Sequence, residues 1–398
     1  MRKSDTRSTA LLSGTAYAGM FVFGVVMAVL GAILPLLAAR LQITTPDIGK
    51  LFLVMNAAML AASLVLGLAM DRFGMKFPLV LGALLVAMAL GMVVRASAFV
   101  ALLPAVVLLG VGGGALNGAT NTLVADLHED PRRKGAALNL LGVFFGFGAL
   151  FLPFVIGALV ARFSIASLLA AASTLCGVVG IFALFRRFPA PKQRHVFPLA
   201  EVPRFLRSPL VLAFAFLLFF ESGVEFTLGG FISTYLMHDI GLNSIAIASW
   251  ILAAYWAAIM ISRAVLSRIA LGIDPYRTLL ICASAAGVGA VLTALARSPL
   301  VAALGIVICG WSLAGVYPTL LGIAGDRFQS HSGTVFGILF AIALAGGMIL
   351  PFIAGQLGAL AGLRWVFGMI SAAFAAILGL SLLARRIERQ NQLSAEIA

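Results

Sequence analysis

Two glutamates interrupt a long apolar stretch near the middle of the chain. In AFAFLLFFESGVEFTLGGFISTYL (213–236), Glu221 and Glu225 stand where a helix crossing a bilayer would carry apolar side chains. An acid at the centre of such a helix costs roughly 2.5–3.5 kcal/mol on insertion scales. The spacing of four residues places both side chains on one helical face, with Cβ atoms roughly 5–6 Å apart. Two costly acids in one register indicate a shared chemical role.

Proton exchange is the first chemistry that this pair suits. Burial disfavours the charged form of each carboxyl group, and an ionised neighbour disfavours it further. We therefore expect at least one of the two acids to gain and lose a proton near neutral pH, and we expect the pair to face a water-filled chamber inside the protein. An ionised carboxylate would instead accept hydrogen bonds from solute hydroxyls, bind Na⁺ or pair with a cationic solute. The structural alternative is a protonated acid that hydrogen-bonds a neighbouring helix.

The composition places the pair in a membrane protein. The 398 residues are 62% hydrophobic and 10% charged, with mean hydropathy +1.11. Soluble domains average about 25% charged residues. The first apolar run, Ala10 to Ala38, far exceeds the roughly 7–15 apolar residues of a signal peptide, which predicts an uncleaved first span. Cys176, Cys282 and Cys309 all fall inside predicted helices and imply no disulfide framework, and the histidines have no metal-ligand spacing.

Apolar runs of about 20 residues predict an all-α membrane protein with twelve transmembrane helices. The runs lie near 10–38, 50–69, 77–97, 100–126, 136–160, 164–185, 209–236, 245–270, 278–297, 299–325, 334–360 and 365–384. With the N-terminus inside, the inside segments carry 21 Lys and Arg and the outside segments carry six. The positive-inside rule therefore predicts both termini on the cytoplasmic side of the inner membrane. This distribution also explains the net charge of +13 without a nucleic-acid partner.

An internal repeat divides the twelve runs into two sets of six. GAALNLLGVFFGFGALFLPFVIG (135–157) and GTVFGILFAIALAGGMILPFIAG (333–355) align without a gap at an offset of 198, with seven identities in 23 positions. The long polar interval between runs six and seven separates the halves. We predict two pseudo-symmetric six-helix bundles, 1–185 and 209–398, the second with a short cytoplasmic tail, joined by a cytoplasmic linker at 186–208. Such parallel repeats are found in secondary transporters that bind their solute near the midplane.

The loop between the second and third spans carries a family pattern. In GLAMDRFGMKFPL (67–79), a G-x-x-x-D-R-x-G-x-K pattern is formed by Gly67, Asp71, Arg72, Gly74 and Lys76. The chain thereby resembles the major facilitator superfamily over its whole length. The resemblance implies that this loop is a gating latch for the outward-facing state, with an acid that pairs with a cation or a helix N-terminus. A weaker counterpart in the second half, 262–277, includes Arg263.

Three further stretches are similar to one branch of that family, the fucose/galactose–proton symporters and their sodium-glucose-transporter-like relatives. They are LNLLGVFFGFGALFLP, SGVEFTLGGFISTYL and GVYPTLLGIA. Members of that branch have membrane carboxylates in the first and fourth helices. Here the first span has no acid, and the fourth has Asp126 at its cytoplasmic end. Any proton coupling is therefore expected to have moved or disappeared, and Glu221 and Glu225 are the acids that remain deep in the bilayer.

Polar and aromatic side chains at similar depth are the candidate solute contacts. Asn117 and Asn121 form a second pair four residues apart, with amide donors and carbonyl acceptors. An aromatic face can stack on a sugar ring, which favours Trp311 and Tyr317. The full predicted set is Asn56, Asn117, Asn121, Tyr235, Tyr255, Trp256, Trp311, Tyr317, Thr319 and Gln356. A structural role in bridging or packing helices is the alternative for each of them.

Three classes of function remain open from the sequence. The first is uptake of a small neutral polar solute, a sugar in the first instance, coupled to H⁺ or Na⁺ through the glutamates. The alternative is a proton-antiport exporter of drugs or of amphipathic or cationic metabolites. A transporter-shaped sensor or a lipid translocase is a third class. No enzyme motif is present, no cofactor is expected, and a monomer in contact with membrane lipid is the default assembly.

Overall fold

Helices make up nearly the whole of the computed structural model. It describes residues 3–128, 130–189, 201–269 and 272–397, and 89% of the chain is helical. Residues 190–200 of the predicted linker lie outside the described residues. Within the described part there are no strands, and twelve helices are long and apolar enough to cross a membrane, as predicted.

The helices follow one another with short connections. Those of the first half are α1 (Lys3–Leu41), α2 (Thr45–Phe73), α3 (Lys76–Arg95), α4 (Phe99–Leu127), α5 (Pro131–Leu159) and α6 (Ile165–Leu184). A short α7 (Val202–Leu206) lies before the second half. The remaining helices are α8 (Pro209–His238), α9 (Ile245–Ile269), α10 (Pro275–Ala294), α11 (Pro299–Leu313), α12 (Val316–Arg327), α13 (Ser332–Ala361) and α14 (Leu363–Ile397). We call the end where α6 stops and α8 starts the linker end, and the opposite end the far end.

Side-chain caps explain where several helices begin. The first backbone N–H groups of a helix have no partner within the helix, and a preceding Ser or Asp can accept one of them. Ser164 accepts from the N–H of Ser167 at α6, and Asp274 accepts from the N–H of Arg277 at 2.8 Å at α10. Proline in the first turn of α8, α10 and α11 is preorganised for the helix and needs no such partner.

Two predicted spans differ from the structure in extent. The tenth run, predicted as one helix over 299–325, is divided into α11 and α12 around Ala314 and Gly315. The last run, predicted to end near 384, continues as helix to Ile397, so the expected short tail is helical as far as it is described. An apolar window detects only the membrane part of a helix, and it is insensitive to a local break.

The internal repeat has a counterpart in helix packing. A Cβ at Gly148 in α5 would collide with the carbonyl oxygen of Phe21 in α1. A Cβ at Gly346 in α13 would collide with the carbonyl oxygen of Phe219 in α8. Both residues of the second pair lie 198 positions after those of the first, which is the offset of the sequence repeat. The two crossings are thus the same backbone contact made twice.

The halves meet closely at the far end and near the middle. A Cβ at Gly31 in α1 would collide with the carbonyl oxygen of Gly229 in α8, again 198 positions later. Toward the far end, Gly355 of α13 packs on Thr45 of α2, with 2.8 Å between its Cβ position and the Thr45 carbonyl oxygen. On the other side, a Cβ at Gly157 of α5 would lie 3.1 Å from the Trp250 ring of α9. Three inter-half contacts therefore close the far end.

The linker end is open by comparison. Beyond their own helical turns, five glycines near this end have no atom of the described residues within 4 Å of an added Cβ: Gly67, Gly135, Gly142, Gly322 and Gly333. They belong to α2, α5, α12 and α13. Three of these helices, α2, α5 and α13, also make the far-end contacts, so their close approach at the far end has no counterpart at these glycines.

A matched pair of glycine substitutions tests the crossings. Gly346→Ala should destabilise the protein by about 1–3 kcal/mol, because the added methyl group forces α13 away from α8. Gly379→Ala adds the same methyl group in α14, where no atom lies within 4 Å, and should change stability little. The measurement is thermal unfolding in detergent. It is monitored through the reaction of the three buried cysteines with a fluorogenic thiol reagent. Equal melting temperatures for the two variants would contradict the packing described here.

Candidate functional site

A cavity of about 1140 Å³ opens at the linker end. Its wall comes from α5, α9, α10, α12 and α14, and from the connections between α9 and α10 and between α11 and α12. Four polar lining residues lie six to ten residues from the linker-end termini of their helices: Asn139, Arg263, Tyr317 and Thr319. Five charged ones lie nearer the mouth: Arg268, Asp274, Asp326, Arg327 and Glu388. The cavity is thus polar at depth and mixed in charge at its entrance.

The break between α11 and α12 shapes one wall. Proline has no N–H, so Pro318 cannot donate to the carbonyl of Ala314, and its ring crowds the preceding turn. The chain turns there, with the N–H of Gly315 bonded to the Ser312 carbonyl at 3.5 Å, before α12 begins at Val316. Tyr317 and Thr319, both predicted solute contacts, line the cavity directly after the break. The Tyr317 ring stacks on Phe340 of α13, 6.3 Å between centroids.

The two glutamates are enclosed in the protein. Glu221 is 1% and Glu225 is 8% exposed, and neither lines the cavity, although the sequence predicts that they face a water-filled chamber. Close packing of α8 explains the difference, since its glycines lie against α1, α2, α9 and α13. Both carboxyl oxygens of Glu221 are buried without a hydrogen-bond partner among the described residues. A buried polar group in that condition costs about 1–3 kcal/mol.

Arg263, predicted from the sequence as part of the second latch, is also a cavity residue. It lines the cavity on α9, with its guanidinium 5.5 Å from the ring centroid of Phe145 in the other half. Its positive charge acts on both Glu221 and Glu225. Arg263 therefore belongs to the cavity and to the electrostatics of the buried acids.

Tyr255 and Trp256 also lie on α9, about two turns before Arg263. Both are buried, and neither the Tyr255 hydroxyl nor the Trp256 Nε1 has a hydrogen-bond partner among the described residues. The Trp256 ring lies 3.1 Å from the Cβ position of Gly229 on α8, and it meets Phe145 edge-on at 6.2 Å. Glu221, Glu225 and Arg263 all lie within electrostatic range of the Tyr255 hydroxyl. Acceptors on α8 and donors on α9 thus share one enclosed region.

The predicted asparagines have different surroundings. Asn56 of α2 is buried and donates to the carbonyl of Phe52 at 3.0 Å and of Gly347 in α13 at 3.1 Å, which bridges the two halves. Its Oδ1 is buried without a partner among the described residues. On α4, Asn121 donates to the carbonyl and Oδ1 oxygens of Asn117, both at 2.9 Å. Asn121 is exposed, and neither residue of that pair lines the cavity.

Three other predicted contacts lie away from the cavity. The Tyr235 hydroxyl donates to the Thr293 carbonyl at 2.6 Å, and its ring packs on Phe367, so it joins α8 to α10 and α14. Trp311 is 44% exposed and outside the cavity lining. Gln356 is half-buried near the contact of α13 with α2 at the far end.

The predicted latch lies at the linker end of α2. Gly74 has φ 76°, a conformation that favours glycine, and its N–H bonds the Met70 carbonyl at 2.9 Å, which ends the helix. Arg72 is exposed, with its guanidinium 5.4 Å from the Phe73 ring centroid, and Lys76 begins α3. The side chain of Asp71 lies outside what the structure describes, so its expected pairing stays a prediction.

Sequence reasoning missed Asn139 and Phe145. Asn139 is the polar side chain that α5 contributes to the cavity, and Phe145 contacts both Arg263 and Trp256 across the halves. Both lie in LNLLGVFFGFGALFLP, the stretch already noted for its family likeness. A single asparagine near the start of a predicted helix carries little signal.

Twelve spans around a cavity that opens at one end define a membrane transporter. The sequence profile described as the Major Facilitator Superfamily matches residues 16–270 and 214–396. The chain therefore belongs to the major facilitator superfamily and is a transporter, not an enzyme.

Relatives and solved structures agree with this family. The chain is 22% identical over 409 aligned residues to the glucose/mannose transporter GlcP of Bacillus subtilis, covering 97% of this chain and 98% of GlcP. The crystal structure of the nucleoside transporter NupG superposes with TM-score 0.77 at 13% identity, covering 95% and 99% of the two chains. The Escherichia coli fucose:proton symporter FucP does so with TM-score 0.65 at 16% identity, also covering 95% and 99%. These likenesses to solved structures establish the fold alone.

Two threonine-to-cysteine variants test the cavity against the enclosed region. Thr319→Cys should react rapidly with a water-soluble maleimide in detergent, since Thr319 lines the cavity. Thr227→Cys, at a buried position on α8, should react far more slowly. The three native cysteines are buried and contribute a low background. Similar rates at the two positions would show that water reaches the interior of α8 in the resting protein, against the structure described here.

Proposed function

We propose that the protein moves a small neutral polar solute, in the first instance a sugar, by alternating access, with H⁺ or Na⁺ coupled through Glu221 and Glu225. The observation that carries the proposal is the set of buried, unpartnered polar groups on α8 and α9. It includes the Glu221 oxygens, the Tyr255 hydroxyl and the Trp256 Nε1. A polyhydroxylated solute supplies both donors and acceptors to such groups. The printed names of GlcP and FucP, a glucose/mannose transporter and a fucose:proton symporter, support a sugar.

Alternating access follows from the way the two ends differ. The far end is closed by contacts of Gly31 and Gly355 with backbone carbonyls and of Gly157 with the Trp250 ring, while the cavity opens at the linker end. The distribution of Lys and Arg places the linker end on the cytoplasmic side of the inner membrane in this proposal. Separation of α1 from α8 at the far end would expose the buried face of α8. The glutamates would then meet the outside solution, whereas the present conformation encloses them.

The coupling proposal follows from charge and burial. Two carboxyl groups buried four residues apart on one helix face cannot both stay ionised at low cost. Arg263 can balance one negative charge, so protonation of one acid changes the net charge of the group. A change of that kind, linked to which end is open, is the physical requirement for ion coupling. Na⁺ in place of the proton is the other coupling ion that carboxylates allow.

Proton-antiport export of drugs or amphipathic cations is the competing proposal. The buried acids alone would suit it. However, the deep charged side chain of the cavity is Arg263, which repels a cationic solute, and the acids themselves lie outside the lining. The electrostatics of the cavity therefore favour a neutral solute over a cationic one.

Substitution of the acids tests the coupling. Glu225→Gln should abolish accumulation of the solute against its gradient, because the amide cannot exchange a proton, while exchange of solute across the membrane continues. Glu221→Gln is measured in parallel, and Glu201→Gln, in the segment before α7, is the matched control that should accumulate solute normally. The measurement is uptake and counterflow in proteoliposomes. Full accumulation by Glu225→Gln would exclude its coupling role.

A flux panel tests the solute class and the direction. Proteoliposomes are loaded with a pH or an Na⁺ gradient and offered labelled hexoses, nucleosides or an amphipathic cation. The proposal expects inward accumulation of a hexose driven by one of the two gradients. Gradient-driven extrusion of the cation, with no hexose flux, would favour the exporter instead.

A further inference from the structure

Arg263 is a cation in the cavity with no committed partner. It lines the cavity nearly two turns before the end of α9. Among the described residues it forms no ion pair and no hydrogen bond, and its buried Nε is unpartnered. A guanidinium group carries five N–H donors in a planar fork. Its position thus leaves donors unused on the wall of the cavity.

The aromatic wall holds the guanidinium in place. Phe145 of α5 lies 5.5 Å from it and is itself packed edge-on against Trp256. A ring on one side of a guanidinium leaves the N–H groups at its edge free for a partner in the same plane. Planar carboxylates accept two parallel hydrogen bonds from such an edge. This geometry suits an anionic group better than a lone hydroxyl.

The charges around Arg263 point to a solute as that partner. The other charged lining residues lie at the mouth, at or beyond the ends of the candidate spans. Glu221 and Glu225 are buried outside the lining, although Arg263 acts on both. Within the described cavity, Arg263 is therefore the charge that a solute meets at depth.

Side chains that can hydrogen-bond the hydroxyls of a solute line the same cavity from both halves of the protein. Asn139 of the first half and Tyr317 and Thr319 of the second line the same cavity. Amide, phenol and alcohol groups each donate and accept hydrogen bonds, which suits a polyhydroxylated solute. The cavity of about 1140 Å³ has room for a sugar with an additional substituent.

We propose that the cavity also carries sugar acids, such as hexuronates, with the solute carboxylate bound by the guanidinium of Arg263 and the hydroxyls by Asn139, Tyr317 and Thr319. This inference rests on the proposed sugar transport, because it assigns a second solute class to the same cavity. It adds a specificity residue that a neutral sugar does not require. Solute binding would also draw the two halves together, since Arg263 and Asn139 belong to opposite halves.

The experiment compares solutes that differ only in the group at C6. Proteoliposomes with the full-length protein are offered labelled D-glucose, D-glucuronate and D-glucuronamide, the last being a neutral analogue of the acid. Arg263→Gln should lower uptake of glucuronate relative to glucose by about tenfold or more, the loss expected for a charge-assisted bidentate contact. Arg263→Lys, which keeps the charge but not the fork, should be intermediate. Arg268→Gln removes the same charge nearer the mouth and should leave the ratio within about threefold, since exposed charges are screened.

Each outcome decides between the two proposals. Wild-type uptake of glucose and glucuronate, with a selective loss of glucuronate in Arg263→Gln, supports the inference. Glucose uptake with neither transport of glucuronate nor competition by it overturns the inference and leaves the proposed function intact. An equal loss of all three solutes in folded Arg263→Gln also overturns it, because Arg263 would then serve coupling or gating alone. Uptake of glucuronate alone supports the inference and contradicts a neutral solute, and uptake of none refutes both.

Discussion

Backbone-to-backbone helix contact is the constraint on which this structure depends. Helices in a bilayer gain little from apolar burial against each other, so close packing relies on small residues that let backbones approach. Glycine provides that approach in α5 against α1, in α13 against α8, and at Gly31 against Gly229 between the halves. Each of these contacts closes to a distance that excludes any side chain. A contact of this kind between the halves, such as Gly31 against Gly229, is either made or lost. That property suits a protein in which one end closes while the other opens.

The two halves share their helix packing but differ in the side chains at equivalent positions of the candidate site. At the offset of 198 that relates the halves, the positions of Glu221 and Glu225 correspond to Phe23 and Met27 in α1. Both of these are apolar and buried, and Phe23 packs on Phe145 at 5.5 Å. Likewise α4 is an unbroken helix, whereas its counterpart is divided at Pro318. The ionisable and irregular features therefore concentrate in the second half, and the first half presents mainly an aromatic wall and Asn139.

The membrane spans and the two buried acids were predictable from the sequence, whereas the helix break and the surroundings of individual side chains were not. Spans follow from apolar length alone, so twelve were predicted correctly, and Glu221 and Glu225 were predicted as intramembrane acids because no other acid lies deep in an apolar run. The break at Pro318 needed backbone hydrogen bonding, which a hydropathy window does not measure. Whether Tyr235 bonds Thr293 or a solute depends on helix rotation, and whether Arg263 lines a cavity depends on which end is open. Neither quantity is encoded in the local pattern of one helix.

The central claim is that α2 and α13, closed together at the far end and apart at the linker end, reverse that arrangement during transport. Two distances between spin labels on the same two helices measure it directly: Lys50 to Leu360 at the far end, and Phe73 to Gly333 at the linker end, all exposed positions. On addition of a transported sugar with the coupling ion, a second population should appear in which the first distance lengthens and the second shortens. Distances that stay fixed, or that change in the same direction at both ends, would contradict the account.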